Sequence, residues 1–345
     1  MKVALANTFE NNGGAAIACN RLMKALQKEG IEVSYIVRDK SSNNPNVLTV
    51  NSSFLKKKIN FVRFVWERLC IFICNKFNKK NLFAVSIANT GNNITQIDAV
   101  KEADIIHLHW TCQGLLSLKN IKQLIETGKP IVWTMHDMWA FTGICHYAGI
   151  CSAFTKKCGS CPVIGSKSNN DLSTRIFNKK KNLYKNANIT LVGCSRWIAN
   201  CAKQSTLTLN GIKCTSIPNP IDTDIYKKQE KNIAREKLKL PLDKKIILFG
   251  SIKITDERKG AQYMIDACNV LAQQYPAEIL KQITLVIFGK NTGQLKPLFP
   301  FNVHCLEYIS NIEDIVALYN SADVLVVPSL EDNLPNTIME ALACG

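Results

Sequence analysis

The chain has 345 residues, enough for two α/β domains that each hold a core, and its 46% hydrophobic and 20% charged content describe an ordinary soluble globular protein. The formal net charge of +16 suits an anionic partner: nucleic acid, an anionic membrane face or phosphorylated small molecules; a solubilising basic surface is the plainer account. Met1-Lys2 runs straight into Val3-Ala4-Leu5-Ala6, too short for a signal-peptide apolar region, and no run of about 18 apolar residues offers a transmembrane helix. Fourteen Cys without a secretory signal argue for a reducing compartment, where clustered Cys mean metal or catalysis more readily than disulfides.

Strand-like runs alternate with helical ones along nearly the whole chain. Residues 3–6 read as a first strand, followed by the Gly13-Gly14 turn and a helix with Ala18, Leu22 and Leu26 on one stripe, ended by Gly30. Further strands are expected at 33–37, 104–109, 130–134 and 189–193. A second series opens with a strand at 245–250 and a helix at 261–275, then strands at 283–288 and 303–309, a helix at 312–322, a strand at 324–327 and a helix from Asn336. Apolar runs of this kind, separated by helices, imply parallel sheet buried on both faces. The Pro218-Asn219-Pro220 breaker and the charged stretch 227–235 divide the series, so two domains are expected, 1–215 and 216–345.

Residues 54–83 interleave Lys56, Lys57, Lys58, Arg63, Arg68, Lys76, Lys79 and Lys80 with Phe61, Phe64, Trp66, Leu69, Ile71, Phe72 and Phe77. This mixture resembles an interfacial helix for an anionic membrane; a core helix with a solvated basic face is the alternative.

Chemistry in an open α/β sheet gathers at the carboxyl ends of strands. Gly13 and Gly14 follow the first strand and open a helix, where backbone can approach a bound group and the helix N-terminus favours negative charge; a tight turn alone would also use them. Four of the five His fall between 107 and 146, with His107, His109, Trp110 and His136 at neighbouring strand ends, which favours a polar ligand cleft. Cys145, Cys151, Cys158 and Cys161 share one Gly-, Ser- and Lys-rich segment that ends in Cys-Gly-Ser-Cys. Four thiols in so short a span suit a structural tetrahedral Zn²⁺, although the spacing is not a common finger pattern; free thiols and redox chemistry are the alternatives.

In the second half, Gly250-Ser251 ends a strand and Arg258-Lys259-Gly260 opens a helix. Two cations beside free backbone N–H groups make a pyrophosphate site in physical terms. Glu331 and Asp332 lie on the loop after a later strand and Glu340 on the helix behind it, where carboxylates can accept hydrogen bonds from sugar hydroxyls. Acidic residues stabilising a helix N-terminus would account for Asp332 but less well for Glu340.

These pieces together resemble family 4 glycosyltransferases of the GT-B fold. The segment "SLEDNLPNTIMEALACG" looks like the family signature: Asp332 and Glu340 keep the spacing of its two acidic residues, although the family usually has Glu at the first position and Glu331 sits one residue early. "ERKG" is similar to the segment with the diphosphate-binding Lys, "NNGGAA" to the first glycine loop and "IPNPID" to the interdomain motif. "HDMWAFTGICHY" with the Cys cluster resembles a subgroup found in bacterial polysaccharide gene clusters. Ser251 stands where the family often has Arg, which leaves Arg258 as the second cation.

The resemblance implies an α/β protein of two Rossmann-like domains with a cleft between them and the second domain incomplete. It implies a retaining transferase that moves a sugar from a nucleotide diphosphate sugar to a saccharide or lipid-linked saccharide acceptor, without a catalytic metal. Lys259 and Arg258 would hold the donor diphosphate, Glu340 the ribose, and Asp332 the donor sugar, with His136 near its C6 side. Such an enzyme is expected in the cytoplasm, peripheral on the inner face of the cell membrane, with no nucleic acid as partner. A sugar-nucleotide epimerase of similar fold and a zinc-containing nucleic-acid binder are the alternatives, the latter disfavoured because the basic residues are dispersed. Family members continue past a helix like the last one here, so a longer natural gene product is expected.

Overall fold

The computed structural model describes residues 1–209, 211–253 and 256–345. They form two compact units, Met1–Pro220 and Ile221–Gly345.

The first unit holds strands β1 (Lys2–Phe9), β2 (Glu32–Asp39), β3 (Val47–Thr49), β4 (Ile105–Leu108), β5 (Ile131–Met135), β6 (Ile189–Gly193) and β7 (Lys213–Ser216). They make one parallel sheet in the order β3-β2-β1-β4-β5-β6-β7. Its helices are α1 (Gly14–Lys28), α2 (Phe54–Cys74), α3 (Asp98–Lys101), α4 (Leu118–Glu126), α5 (Leu172–Tyr184) and α6 (Arg196–Gln204). Parallel neighbours need crossover connections, and these helices cover both faces of the sheet. Along β1 successive side chains alternate in direction: Val3 and Leu5 pack with Cys19 and Met23 of α1, whereas Ala4 and Ala6 join Ile106 and Leu108 in the core of the other face. Strands β3 and β7, absent from the sequence reading, are the sheet edges; they are short, and β7 has the polar sequence Lys213-Cys214-Thr215-Ser216.

The second unit holds β8 (Lys245–Lys253), β9 (Ile283–Lys290), β10 (Val303–Leu306) and β11 (Val324–Val326), a parallel sheet in the order β10-β9-β8-β11. Around it lie α7 (Lys231–Lys237), α8 (Ala261–Gln274), α9 (Ala277–Leu280), α10 (Ile312–Ser321) and α11 (Asn336–Ala343).

Helix α2, capped by the Ser53 side chain, takes up most of the basic segment 54–83. It is built with polar residues inward. Its buried residues are Asn60, Glu67, Arg68 and Ile71, while Phe54, Leu55, Phe61, Val62, Val65 and Trp66 are exposed. The Glu67 carboxylate accepts from the backbone N–H groups of Ile87 (2.9 Å) and Ala88 (2.8 Å) and pairs with Arg68 at 3.0 Å. Arg68 in turn donates to the carbonyls of Leu82 and Val85. Among the described residues no helix is long and apolar enough to cross a membrane.

Candidate functional site

Each sheet has a point where the chain leaves in opposite directions. In the first unit β1 lies between β2 and β4; in the second β8 lies between β9 and β11. Loops at the carboxyl ends of such strands diverge and leave room for a ligand. The residues singled out in the sequence come to these two places.

In the first unit the loop after β1 reaches α1 through Gly13, whose φ of 91° favours glycine although a Cβ there would meet no atom within 4 Å. Across the switch point Trp110, just past β4, stacks on Phe9 at 6.0 Å and donates its backbone N–H to Asn7 Oδ1 at 2.9 Å. His109 follows β4 and His136 follows β5, and adjacent pairing of these strands sets the rings side by side. The rings of His107, His109 and His136 stack in a row, with centroids 4.6 and 5.1 Å apart. His109 Nδ1 meets His136 Nε2 at 2.9 Å, and His136 Nδ1 faces Cys194 Sγ at 3.6 Å. One proton arrangement serves every contact along the row. The Cys194 thiol donates to Met135 O, His136 Nδ1–H to Cys194 Sγ, and His109 Nδ1–H to His136 Nε2. His109 Nε2 then remains a buried acceptor with no partner among the described residues.

Burial holds these rings neutral. It pushes His107 and His136 down to about 4 and His109 well below the usual histidine range. Asp137, beside His136, behaves otherwise. Burial alone would raise it, but His146 at 2.6 Å, the Trp139 N–H and the Trp110 indole together hold it below the ordinary carboxylate value. The pocket lined by His109, Trp110, Trp133, Thr134, His136 and Asp137 is therefore rich in fixed hydrogen-bonding groups and poor in positive charge.

The second unit concentrates charge. Arg258 and Lys259 occupy a single helical turn, and Gly260, at φ 74°, leads from it into α8. A Cβ on Gly260 would lie 2.0 Å from Pro328 O, so only glycine lets this turn sit against the loop after β11. The Lys259 ammonium pairs with Asp332 Oδ2 of that loop, and Arg258 Nη1 lies 3.6 Å from the same oxygen. Arg258 also donates to the carbonyl of Glu331 at 2.7 Å, and Leu330 N–H donates back to Arg258 O at 2.9 Å. Behind the loop, Glu340 of α11 is 6% exposed and accepts a 2.7 Å hydrogen bond from the Tyr319 hydroxyl of α10. The Ser251 hydroxyl is buried and has no partner among the described residues. Two cations, two loop carboxyl-bearing residues and a buried carboxylate thus meet at the β8–β11 switch point.

With the geometry in view, residues 12–225 match the family described as Glycosyltransferase Family 4, and residues 243–345 the one described as Glycosyl transferases group 1. The chain belongs to glycosyltransferase family 4. It is 24% identical over 253 residues to the putative colanic acid biosynthesis glycosyl transferase WcaC of Escherichia coli (strain K12), covering 70% of this chain and 58% of that protein. It is 21% identical over 348 residues to the D-inositol 3-phosphate glycosyltransferase of Corynebacterium jeikeium (strain K411), covering 96% of this chain and 74% of that one. The crystal structure of Anabaena HepE in complex with UDP and glucose superposes with a TM-score of 0.56 at 15% identity, over 100% of this chain and 78% of HepE. The fold is the GT-B α/β fold, with two Rossmann-like sheets.

Of the residues expected to serve a family 4 site, Arg258, Lys259, Glu331 and Asp332 stand together, with Glu340 on the helix that follows their loop. Gly13, Gly14 and His136 lie in the other unit, at the ends of β1 and β5. The Cys145, Cys151, Cys158 and Cys161 thiols are free and line one pocket of the first unit; among the described residues no three His, Cys, Asp or Glu side chains already stand in a metal-holding geometry. Sequence reasoning assigned no role to Asp137, His146, Cys194 or Tyr319. Asp137 and His146 lie inside the motif quoted for the family, and their shared Oδ2–Nδ1 bond was the missing link. Tyr319 carried no local signal, because its partner Glu340 is on a different helix.

Proposed function

We propose that this chain is a retaining glycosyltransferase. In this reading it moves a sugar from a nucleotide diphosphate sugar to a saccharide acceptor, carried on a lipid, during cell-surface polysaccharide synthesis. The observation that carries the reading is the Arg258–Lys259 turn, whose two cations converge on one carboxylate oxygen of Asp332. That oxygen occupies a place suited to an anionic phosphate oxygen, at a helix start where backbone N–H groups add positive potential. Family membership and the polysaccharide role named for WcaC support the same reading.

Each residue then has a task. Lys259 and Arg258 take the charge that develops on the leaving diphosphate as the C1–O bond breaks. The acceptor oxygen bonds to C1 on the same face, and its proton passes to the departing phosphate oxygen, so no separate general base is required. Asp332, released from Lys259 by the diphosphate, accepts from donor-sugar hydroxyls, with Glu331 beside it. Glu340, positioned by Tyr319, accepts from the ribose hydroxyls. Ser251, near the end of β8, borders the donor diphosphate. His136 Nδ1, whose contact among the described residues is the 3.6 Å one to the Cys194 sulfur, is the ring nitrogen able to turn to a sugar hydroxyl, and it does so as a neutral donor. No step calls for a divalent cation, because the two side-chain cations supply the charge.

Helix α2 supports a lipid-borne acceptor. Its outward face carries Phe54, Phe61, Val62 and Trp66 among Lys56, Lys57 and Lys58, a pairing of exposed apolar and basic groups that suits the surface of an anionic bilayer. Such a surface would hold the enzyme peripherally on the cytoplasmic face. The deciding experiment incubates the protein with a panel of nucleotide sugars, with and without lipid-linked acceptors, and reads the product anomer by NMR. A retained anomeric configuration supports the proposal. An inverted product, or conversion of the donor to an epimer without any acceptor, would overturn it. Sedimentation with vesicles tests the membrane part: binding to anionic but not zwitterionic vesicles, lost in Phe61→Ser/Trp66→Ser, is expected, and equal recovery with both lipids would reject it.

A further inference from the structure

The transferase reading leaves one built feature of the first unit unused. Cys145, Cys151, Cys158 and Cys161 line a single pocket, walled also by Ile144, Phe154 and Val163. Cys145, Cys158 and Cys161 are buried and Cys151 is half-buried. The segment between them has little regular structure, only short helical turns at Ala153–Thr155 and Pro162–Ile164, yet it is packed into the core.

Two observations point to what the pocket takes. The first is the turn at Cys158-Gly159-Ser160-Cys161. Ser160 has a φ of 45°, its N–H donates to Ser168 O at 2.8 Å, and the Cys161 N–H donates to Asp171 Oδ2 at 2.8 Å, so the turn is held in shape from outside. The backbone N–H groups of Val163 and Ile164 point at the Cys161 sulfur, and that of Gly143 at the Cys158 sulfur. Burial raises the Cys161 thiol and pushes Cys158 up to about 11, so both are neutral thiols in the pocket, and the amide donors offset only part of that rise.

The second observation is Lys180 of α5. Its side chain is fully buried, at 0% exposure. The ammonium donates to Trp139 O and to Thr142 O (3.1 Å) and lies 3.5 Å from the centroid of the Trp139 ring. No carboxylate is within ion-pairing distance of it among the described residues; burial pushes Lys180 down to about 7, and the Cys112, Cys145 and Cys158 thiols oppose that shift. A buried ammonium without an anionic partner is disfavoured, and a negative centre nearby would restore its charge. A zinc ion with four thiolates carries a net charge of minus two, and such a centre beside Lys180 supplies the missing counter-charge.

We propose that Cys145, Cys151, Cys158 and Cys161 bind one structural Zn²⁺ per chain and that Lys180 balances the charge of the site. Binding releases four thiol protons as four Zn–S bonds form, with no change of oxidation state. The ion gathers Cys151 onto the turn and fixes the 145–161 segment to α5, independently of any donor or acceptor. Lys180 is a positioning residue here and does not touch the metal.

Zinc is measured by mass spectrometry in the full chain, purified without a metal-affinity tag, and one ion per chain is expected. Cobalt exchanged into the site should give the intense visible bands of a tetrahedral four-thiolate centre. Because a Cys158→Ser chain could fail to fold, the decisive measurement uses the unaltered protein. A mercurial thiol reagent releases the metal to a dye, and alkylation with mass mapping shows which Cys lose protection. These four should become reactive together, while the exposed Cys74 reacts from the start. Cys201→Ser should keep the metal, and Lys180→Met should keep the stoichiometry but lose zinc to a chelator about 10–100-fold more readily. Folded protein without zinc after growth with zinc, cobalt bands of mixed oxygen or nitrogen ligation, or zinc release that leaves the four Cys equally protected would each overturn the proposal.

Discussion

The two units use the same topological place in opposite ways. Beside the β1–β4 switch point the chain fixes three neutral imidazoles in a close-packed row, and Trp110 stacked on Phe9. At the β8–β11 switch point it sets two cations against a carboxylate on partly exposed loops. The difference follows from desolvation. A neutral ring can be buried if its nitrogens find partners, and burial then fixes its orientation. A charge meant for a ligand must stay near the surface and be held by a partner that the ligand can replace. One unit is thus preorganised for direction and the other for charge.

Lys259→Ala breaks the charged half and should have the largest effect. Removing a cation from a developing diphosphate is expected to lower kcat/KM by about 10²–10³-fold, as loss of a single oxyanion donor does. His136→Ala should cost less, on the order of tenfold, since a neutral donor is lost. Steady-state kinetics on one donor and acceptor pair would check both; equal losses would erase the distinction between the halves.

Acid should find the neutral half. Unfolded histidine titrates near 6.5, while His107 and His136 are held at about 4 in the fold. The unfolded chain therefore binds more protons between these values. Stability from the neutral rings is complete above about pH 6.5 and is lost as pH falls to about 4, by at most on the order of 3 kcal/mol per ring. Urea melts at pH 7 and pH 5 should show the loss in the unaltered chain and a smaller one in His107→Asn. An identical pH slope in both would mean that burial of the row is not its source.

A smaller effect is expected at Glu340. Glu340→Gln keeps the shape and the Tyr319 contact but removes the carboxylate, so nucleotide affinity should fall about tenfold, roughly 1.4 kcal/mol. Calorimetric titration of nucleoside diphosphates would measure it, and unchanged affinity would remove Glu340 from the ribose site.

Much of this was legible in the sequence because strands buried on both faces read as apolar runs, and the residues just after such runs mark the carboxyl ends. His109 and His136 stand just past β4 and β5 as that reading expects, whereas Ser251 falls inside β8 and Asp332 lies farther along the loop after β11. Edge strands β3 and β7 were not legible, since an edge needs no such run. Helix α2 shows a deeper limit. Periodicity separates two faces of a helix but does not say which one meets the core, and here Glu67 and Arg68 face inward. Lys180 was hidden for a related reason: within Lys179-Lys180-Lys181 only the fold decides which ammonium is buried.

The central claim is that the charged half, and not the neutral half, holds the donor diphosphate. Isothermal titration of uridine, guanosine and adenosine diphosphates onto the unaltered chain, Lys259→Ala and His136→Ala tests it directly. The account predicts that whichever diphosphate binds loses at least about tenfold in affinity to Lys259→Ala and little to His136→Ala. Unchanged binding to Lys259→Ala, with binding lost in His136→Ala, would contradict it.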